Sequence, residues 1–245
     1  MRGAVAAEWT KLWTTRTVWW ALVAAFVLMV AGAGQYALYA ANDDLAPELL
    51  LGDGRVAAGT IAVLATALAQ FAVIALAMLV MTSEYSAGTI RATLAWVPSR
   101  GRLLLAKSLV VAVVALAVGV VLGLVGAVVA APLLGDRGVV SGGAVVGDAV
   151  AIGGYLALIS VFATGLGAAL RGPVATLVTI FLLVVVIPPI LELPDVAALN
   201  RVAEALPGPA GTDFMRGDGS AGLVVAAWAV AALVAGWRVL RRRDA

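Results

Sequence analysis

The residues that could do chemistry in this sequence are few, and the most informative of them lie between positions 84 and 107. The sequence has no cysteine and no histidine, which excludes disulfides, thiol chemistry, imidazole metal sites and histidine proton relays. The passage holds one acid, Glu84, and a series of cations that ends at Lys107. Glu84 and Arg91 are seven residues apart, so a helix would place them on one side, two turns apart.

The same passage has the periodicity of a short amphipathic helix. Ala87, Ile90, Leu94 and Val97 recur at spacings of three, four and three, which gives a helix one apolar face. Pro98 ends the segment, because the residue before a proline is pushed out of helical geometry. We therefore predict a helix at a membrane surface whose charged face is turned outward, toward a partner.

One motif in this passage is misleading. The run from Gly101 to Ser108 superficially follows the phosphate-loop pattern, but Ala106 stands where that loop needs a glycine. The loop also requires a preceding strand, and here an arginine-rich turn precedes an apolar run. No nucleotide is expected to bind at this point, so any energy for work must enter through another chain.

The composition indicates an integral membrane protein. Of the 245 residues, 63% are hydrophobic and 12% are charged, and the mean hydropathy is +1.08, whereas a soluble domain is about half apolar and about a quarter charged. Six apolar stretches approach or exceed the ~20 residues that cross a hydrocarbon core. The predicted fold is an all-α single transmembrane domain, residues 1–245, with spans at about 18–40, 57–81, 105–134, 149–170, 173–191 and 219–239.

The distribution of cations predicts the orientation. Six spans put both termini on one side, and that side would hold 12 of the 16 Lys and Arg residues. The positive-inside rule then places the termini in the cytoplasm. We expect a multi-pass protein of the plasma membrane.

Residues 1–16 predict an amphipathic helix that lies in the membrane interface. Glu8, Lys11 and Thr15 line its polar side, and we expect the cations to face outward with the tryptophans at headgroup depth. The interfacial anchor would consist of Trp9, Lys11, Trp13 and Arg16. A signal peptide is the alternative, but the apolar run that follows is too long for a usual signal core.

Neutral polar and small residues inside the spans are interpreted as helix contacts. Gly119-x-x-x-Gly123 is typical of close helix packing. Helix–helix hydrogen bonds are expected at Gln35, Gln70, Thr164 and Thr179.

The connections after the fourth span have distinct signals. Gly172 followed by Pro173 predicts a tight hairpin, in which glycine ends one helix and proline starts the next. A break is expected at Pro188-Pro189, and helical spacing of apolar residues within 192–218 predicts one short helix on the outer face.

Between Glu84 and Lys107 the sequence resembles the permease subunits of type-2 ABC transporters, the mostly exporting class. The family's pattern is an acid, an aromatic, Gly-Thr, a cation, a leucine and Pro-x-Arg before the third span. The resemblance extends to the six spans, the amphipathic amino-terminal helix and the short extracellular helix before the sixth span. The matching motif residues are Glu84, Tyr85, Gly88, Thr89, Arg91, Leu94, Pro98, Arg100 and Lys107.

The resemblance implies a permease that forms the substrate pathway with a second copy or a homologous half and docks a cytosolic ABC ATPase. The helix over 84–97 would be the coupling helix. ATP and Mg²⁺ would bind to the partner, so this chain is expected to hold no cofactor, metal or catalytic residue; lipid is an expected contact and nucleic acid is not. The ATPase-coupling interface would comprise Glu84, Tyr85, Gly88, Thr89, Arg91, Leu94, Pro98 and Arg100.

Two other functions stay open from the sequence. A non-transport membrane anchor or assembly protein would recruit a different cytosolic partner through the 82–104 loop. An intramembrane enzyme would depend on acids outside the spans, which are more simply a solvated acidic rim: Asp43, Asp44, Asp195, Asp213 and Asp218. No residue identifies a substrate, and export is implied by the resemblance alone.

Overall fold

The computed structural model describes residues 2–42, 44–88 and 100–242, most of which are helical. A π-helical turn, Leu182–Val186, joins α6 to α7, and two-residue strands, β1 (Val56–Ala57) and β2 (Gly138–Val139), pair in parallel. In chain order the helices are α1 (Arg2–Thr14), α2 (Arg16–Ala41), α3 (Ala58–Ser86), α4 (Arg100–Leu134), α5 (Gly142–Leu170), α6 (Pro173–Phe181), α7 (Ile187–Glu192), α8 (Ala197–Glu204), α9 (Pro207–Met215) and α10 (Gly219–Arg242).

Within the described residues, six helical segments are long and apolar enough to cross a membrane, which confirms the all-α membrane fold. They are α2, α3, α4, α5, the continuous segment from α6 to α7, and α10. The helices extend beyond the uncharged runs at several ends, so Glu84, Lys107 and Asp148 lie within helices. We call the end of the bundle that holds α1, the end of α3 and the end of α10 the termini side.

Helix α5 lies at the centre and packs against α3, α4 and α10. Small residues set the distance between α4 and α5: a Cβ at Gly119 would lie 2.6 Å from Gly153 Cα, and a Cβ at Gly123 would lie 2.7 Å from Ala149 Cα. No side chain fits between backbones this close. The close packing predicted for Gly119 and Gly123 is confirmed.

Two of the four polar residues predicted to join helices do so. The Tyr155 hydroxyl of α5 donates to Gln70 Oε1 of α3 at 2.5 Å, and the Thr164 hydroxyl lies 3.3 Å from the Ala77 carbonyl oxygen of α3. Gln35 and Thr179 instead bond within their own helices. A polar residue in an apolar run always needs a partner, but the sequence does not say whether its own helix supplies it.

The break predicted at Pro188-Pro189 is wrong, because the helix continues to Glu192. The irregularity comes one turn earlier, in the π-helical turn that ends at Val186. Pro188 has no N–H to donate to the carbonyl of Val184, four residues before it. That carbonyl lies against Gly208 of α9, where a Cβ would collide with it. The chain between the fifth and sixth spans thus contains two short helices, α8 and α9, where the sequence predicts one.

We predict that Gly153→Ala weakens the packing of α4 against α5. The new Cβ would lie 2.8 Å from the Leu116 carbonyl oxygen and 2.8 Å from Val120 Cγ2, and overpacking of this kind costs about 1–3 kcal/mol. Gly147→Ala is the matched control in the same helix, because nothing lies within 4 Å of its Cβ position. Thermal unfolding in detergent should show a lower Tm for Gly153→Ala alone, and equal Tm values would contradict the packing.

Candidate functional site

Four charged side chains meet on the termini side in a network that we call the ion cluster: Glu8, Lys11, Glu84 and Lys107. The Lys107 ammonium lies 2.7 Å from Glu8 Oε2 and 2.8 Å from Glu84 Oε1. Lys11 donates to the same oxygen of Glu84. The side chain of Lys107 is 0% exposed and that of Glu84 is 2% exposed, whereas that of Lys11 is 51% exposed. The cluster is therefore buried except at Lys11.

Three helices bring these four residues together. Glu8 and Lys11 are three residues apart on α1, so both project from one side of it. Glu84 lies in the last turn of α3, and Lys107 lies about two turns into α4. Leu12 of α1 packs beside them in an apolar group to which α2, α3 and α4 also contribute. Ionic and apolar contacts together fix α1 against the spans.

The charges of the ion cluster balance, with two carboxylates and two ammonium groups. Desolvation of a buried ion costs several kcal/mol, and the attraction between partners offsets this cost only when the geometry is good. Apolar replacement of a whole buried pair is often neutral, whereas removal of one partner costs about 3–5 kcal/mol. We therefore interpret the ion cluster as a device that fixes the position of α1, rather than as a large source of stability.

One predicted orientation is wrong. The carboxylate of Glu84 is buried among lysines and does not face outward. On α1, Lys11 is half exposed, whereas Glu8 turns inward to Lys107. The periodicity of α1 separates polar from apolar positions, but it does not say whether the polar side faces water or an opposite charge. Trp9 is exposed, whereas Trp13 is partly buried and packs against the apolar group that contains Leu12.

A second group, which we call the arginine cluster, lies beside the first: Tyr85, Arg100, Arg171 and the last carbonyls of α10. The Arg171 guanidinium carbon lies 5.3 Å from the centre of the Tyr85 ring, a cation–π contact. Arg171 Nη2 donates to the Val239 carbonyl at 3.4 Å, and Arg100 donates to the Leu240 carbonyl. Cations at this end of α10 also complement the negative end of its dipole.

Arg171 corrects the predicted hairpin between α5 and α6. Arg171, not Gly172, takes the left-handed conformation that ends α5, with φ of 61°. Gly172 is extended and precedes Pro173 at the start of α6. A left-handed arginine costs about 1–3 kcal/mol and persists only where the surroundings hold it. The contacts with Tyr85 and Val239 hold it here.

Residues of both clusters flank the connection from α3 to α4. Glu84 and Tyr85 come just before that connection and belong to the ion cluster and the arginine cluster respectively. Arg100 comes just after it and belongs to the arginine cluster. Whatever acts on residues 89–99 would therefore act on helices that are joined to α1 and α10.

The structure describes half of the predicted coupling interface. Glu84 and Tyr85 are in α3, Arg100 is in α4, and Gly88 follows α3 with φ of +67°, a conformation that favours glycine. Thr89, Arg91, Leu94 and Pro98, and with them most of the predicted coupling helix, lie outside the described residues.

The predicted interfacial anchor is described in full. Trp13 contacts the rings of both Trp9 and Trp19, at centroid distances of 5.8 and 5.4 Å. Arg16 is exposed at the first position of α2. Lys11, in contrast, belongs to the ion cluster.

The structure shows that the run from Gly101 to Ser108 does not form a phosphate loop. Gly101 to Ser108 is helical, and Lys107 is held by two carboxylates inside the bundle. A phosphate cradle needs loop N–H groups and an accessible lysine. This run provides neither.

Two loop acids are held in the ionised form rather than poised for acid–base work. The hydrogen bond from the Arg55 side chain lowers the pKa of Asp53. The hydrogen bond from the Ser220 hydroxyl lowers the pKa of Asp218. Both shifts favour the ionised carboxylate.

The sequence of this chain matches the model of one known protein family. Residues 4–194 match the family model described as "ABC-2 family transporter protein". The chain belongs to the ABC-2 transporter family. No curated protein matched the chain. The resemblance seen in the sequence is thereby confirmed, and the chain is a membrane transport component, a permease subunit of an ABC transporter.

The predicted site omitted three residues that the structure makes central, Glu8, Lys107 and Arg171. Lys107 had a usable signal: it interrupts an apolar run that continues on both sides, and a cation within a membrane helix needs a partner. Glu8, the only acid in the first 40 residues, was the natural candidate. Arg171 had no signal, because the Tyr85 ring and the Val239 carbonyl that it contacts are far away in sequence.

We predict that Lys107→Met destabilises the permease by about 3–5 kcal/mol, because it leaves Glu8 and Glu84 with one ammonium between them. Adding Glu8→Gln should restore part of this loss, since Glu84 and Lys11 then remain as a balanced pair. Arg102→Gln, at an exposed position of the same helix, is the control. Chemical unfolding in detergent compares wild type, the control, Glu8→Gln alone, Lys107→Met alone and the double variant, and losses that simply add in the double variant would contradict a shared cluster.

Proposed function

We propose that this permease works with a separate cytosolic ABC ATPase as an exporter, and that the connection from α3 to α4 receives the ATPase. The termini side would face the cytoplasm, in line with the excess of cations there. ATP and Mg²⁺ would bind to the partner. A second copy or a homologous half would complete the pathway.

One observation carries the proposal: both ends of the 89–99 segment lead directly into polar clusters, of which the ion cluster is buried and the arginine cluster half-buried. The ion cluster joins Glu84 to α1 and α4, and the arginine cluster joins Tyr85 and Arg100 to Arg171 and α10. A surface loop that only recruits a partner has no need of such connections. A segment that passes movement to the spans does, because the movement must reach several helices together.

The burial of Glu84 divides the predicted interface by role. Arg91 would contact the ATPase, as the amphipathic spacing predicts. Glu84 would transmit movement from this segment to α1 and α4, since its carboxylate already binds Lys11 and Lys107. Docking and transmission are then separable by mutation.

We predict that Arg91→Ala reduces co-purification of the ATPase, whereas Glu84→Gln keeps co-purification and lowers permease-dependent ATP hydrolysis at least several-fold. The neutral amide preserves shape but removes the charge that holds two lysines. Arg102→Gln should change neither. Pull-down from the native membrane in mild detergent gives binding, and phosphate release in liposomes gives coupling.

Two results would contradict this assignment. Absence of any ATPase from the wild-type pull-down would favour the anchor or assembly function, and transport by the isolated chain would exclude a separate motor. If Glu84→Gln folded normally but lost ATPase binding, Glu84 would belong to the surface that docks the ATPase.

The absence of cysteine permits a direct test of orientation. Ala87 on the termini side and Asp136 in the connection after α4 are both exposed. A membrane-impermeant maleimide should label Asp136→Cys on intact cells and Ala87→Cys only after permeabilisation. The reverse pattern would place the termini outside and overturn the proposed site of the ATPase.

A further inference from the structure

An apolar groove of about 230 Å³ lies between α4 and α10, near their ends on the termini side. Leu104 is buried at its floor, whereas Leu105 of α4 and Val234 of α10 are exposed. A lining with so few polar groups gives water few partners, and an apolar chain covers it better. The residues that line the groove are Gly101, Leu104, Leu105, Leu233, Val234 and Trp237.

The end of the groove nearest the termini holds one polar donor, the indole N–H of Trp237. Gly101 lets this indole lie against α4, because a Cβ at Gly101 would be 3.1 Å from Trp237 Nε1. Indole is a donor only, and the described residues supply no acceptor for it. A group with an acceptor oxygen at this end would satisfy the N–H.

A cation lies directly beside the same end of the groove. The Arg241 guanidinium carbon is 4.8 Å from the centre of the Trp237 ring, and the two residues are four apart on one face of α10. No acid pairs with Arg241 in the part of the chain that the structure describes, where Glu8 and Glu84 are held by lysines. The charge of Arg241 is therefore uncompensated there.

The order of residues along α10 matches the layers of a membrane. The groove face changes from apolar, at Leu233 and Val234, to aromatic at Trp237 and then to cationic at Arg241. Tryptophan prefers the membrane–water interface, and an arginine at the end of a span reaches toward the headgroups. An occupant with an apolar chain along the spans and an anionic, oxygen-rich group at the interface is an anionic phospholipid.

We propose that the groove between α4 and α10 binds one anionic phospholipid. Its phosphate would lie beside Arg241, and the start of an acyl chain would cover Leu104 and Leu105. Trp237 would donate its N–H to an oxygen of the phosphate or of a glycerol ester. The inference does not depend on the ATPase, because it concerns only the lipid contact of two spans.

Native mass spectrometry of protein purified with equal amounts of phosphatidylglycerol and phosphatidylcholine tests the charge requirement. Wild type should retain phosphatidylglycerol in preference. Arg241→Gln should lower that retention about fivefold, the effect of one cation near an anionic lipid surface. Arg242→Gln is the matched control, because Arg242 is also exposed but is turned about 100° around the helix, and it should retain the lipid as wild type does.

A second pair of variants tests the position of the acyl chain. Val234→Trp should lower the retention of phosphatidylglycerol, because the larger side chain fills the groove without a change of charge. Val113→Trp is its control, since Val113 is exposed on α4 outside the groove. All variants are compared at equal amounts of folded, monodisperse protein.

Three results would overturn the proposal. Equal retention by Arg241→Gln and Arg242→Gln, or no preference between the two lipids, would exclude an anionic site at this groove. Equal retention by Val234→Trp and Val113→Trp would place the lipid elsewhere. Displacement of phosphatidylglycerol by an equal concentration of inorganic phosphate would show that the acyl chain contributes nothing, and would exclude a phospholipid as the occupant.

Discussion

The buried ammonium of Lys107 constrains the whole termini side of this permease. A cation within a membrane helix must be paired, and the described chain supplies Glu84 from α3 and Glu8 from α1 as its partners. Helix α1 has no apolar span to hold it in the bundle, so the pairing with Lys107, together with Leu12, determines where it lies. The position of α1 in turn brings Lys11 to the carboxylate of Glu84.

The middle and the termini side of the bundle are held by different forces. Small residues such as Gly119 and Gly153 let the backbones of α4 and α5 approach closely, and such contacts fix the spacing of helices tightly. At the termini side, ion pairs and capped carbonyls join helix ends that would otherwise be separate. Under the proposed function, this division suits a rigid set of spans that receives a displacement at one end.

The sequence predicted the spans and their small-residue contacts, because apolar length and glycine spacing depend on local pattern alone. It missed the direction of Glu84 and Glu8, because a polar side chain in a periodic pattern faces either water or a counter-charge, and only the fold brings Lys107 to them. The left-handed Arg171 and the π turn before Pro188 depend on contacts with α10 and α9. Such contacts join residues distant in sequence and leave no local signal.

Under the proposed function, the ion cluster would make α1 and α4 move as one unit when the ATPase acts. Spin labels at Thr10→Cys on α1 and Arg102→Cys on α4, both exposed positions, would report their separation by pulsed electron resonance. In the complex with the co-purified ATPase, the account predicts one narrow distance distribution that ATP does not change, and a broad one in Lys107→Met. A wild-type distance that shifts on ATP addition would contradict it, because α1 would then be moving apart from the spans that the cluster is said to hold.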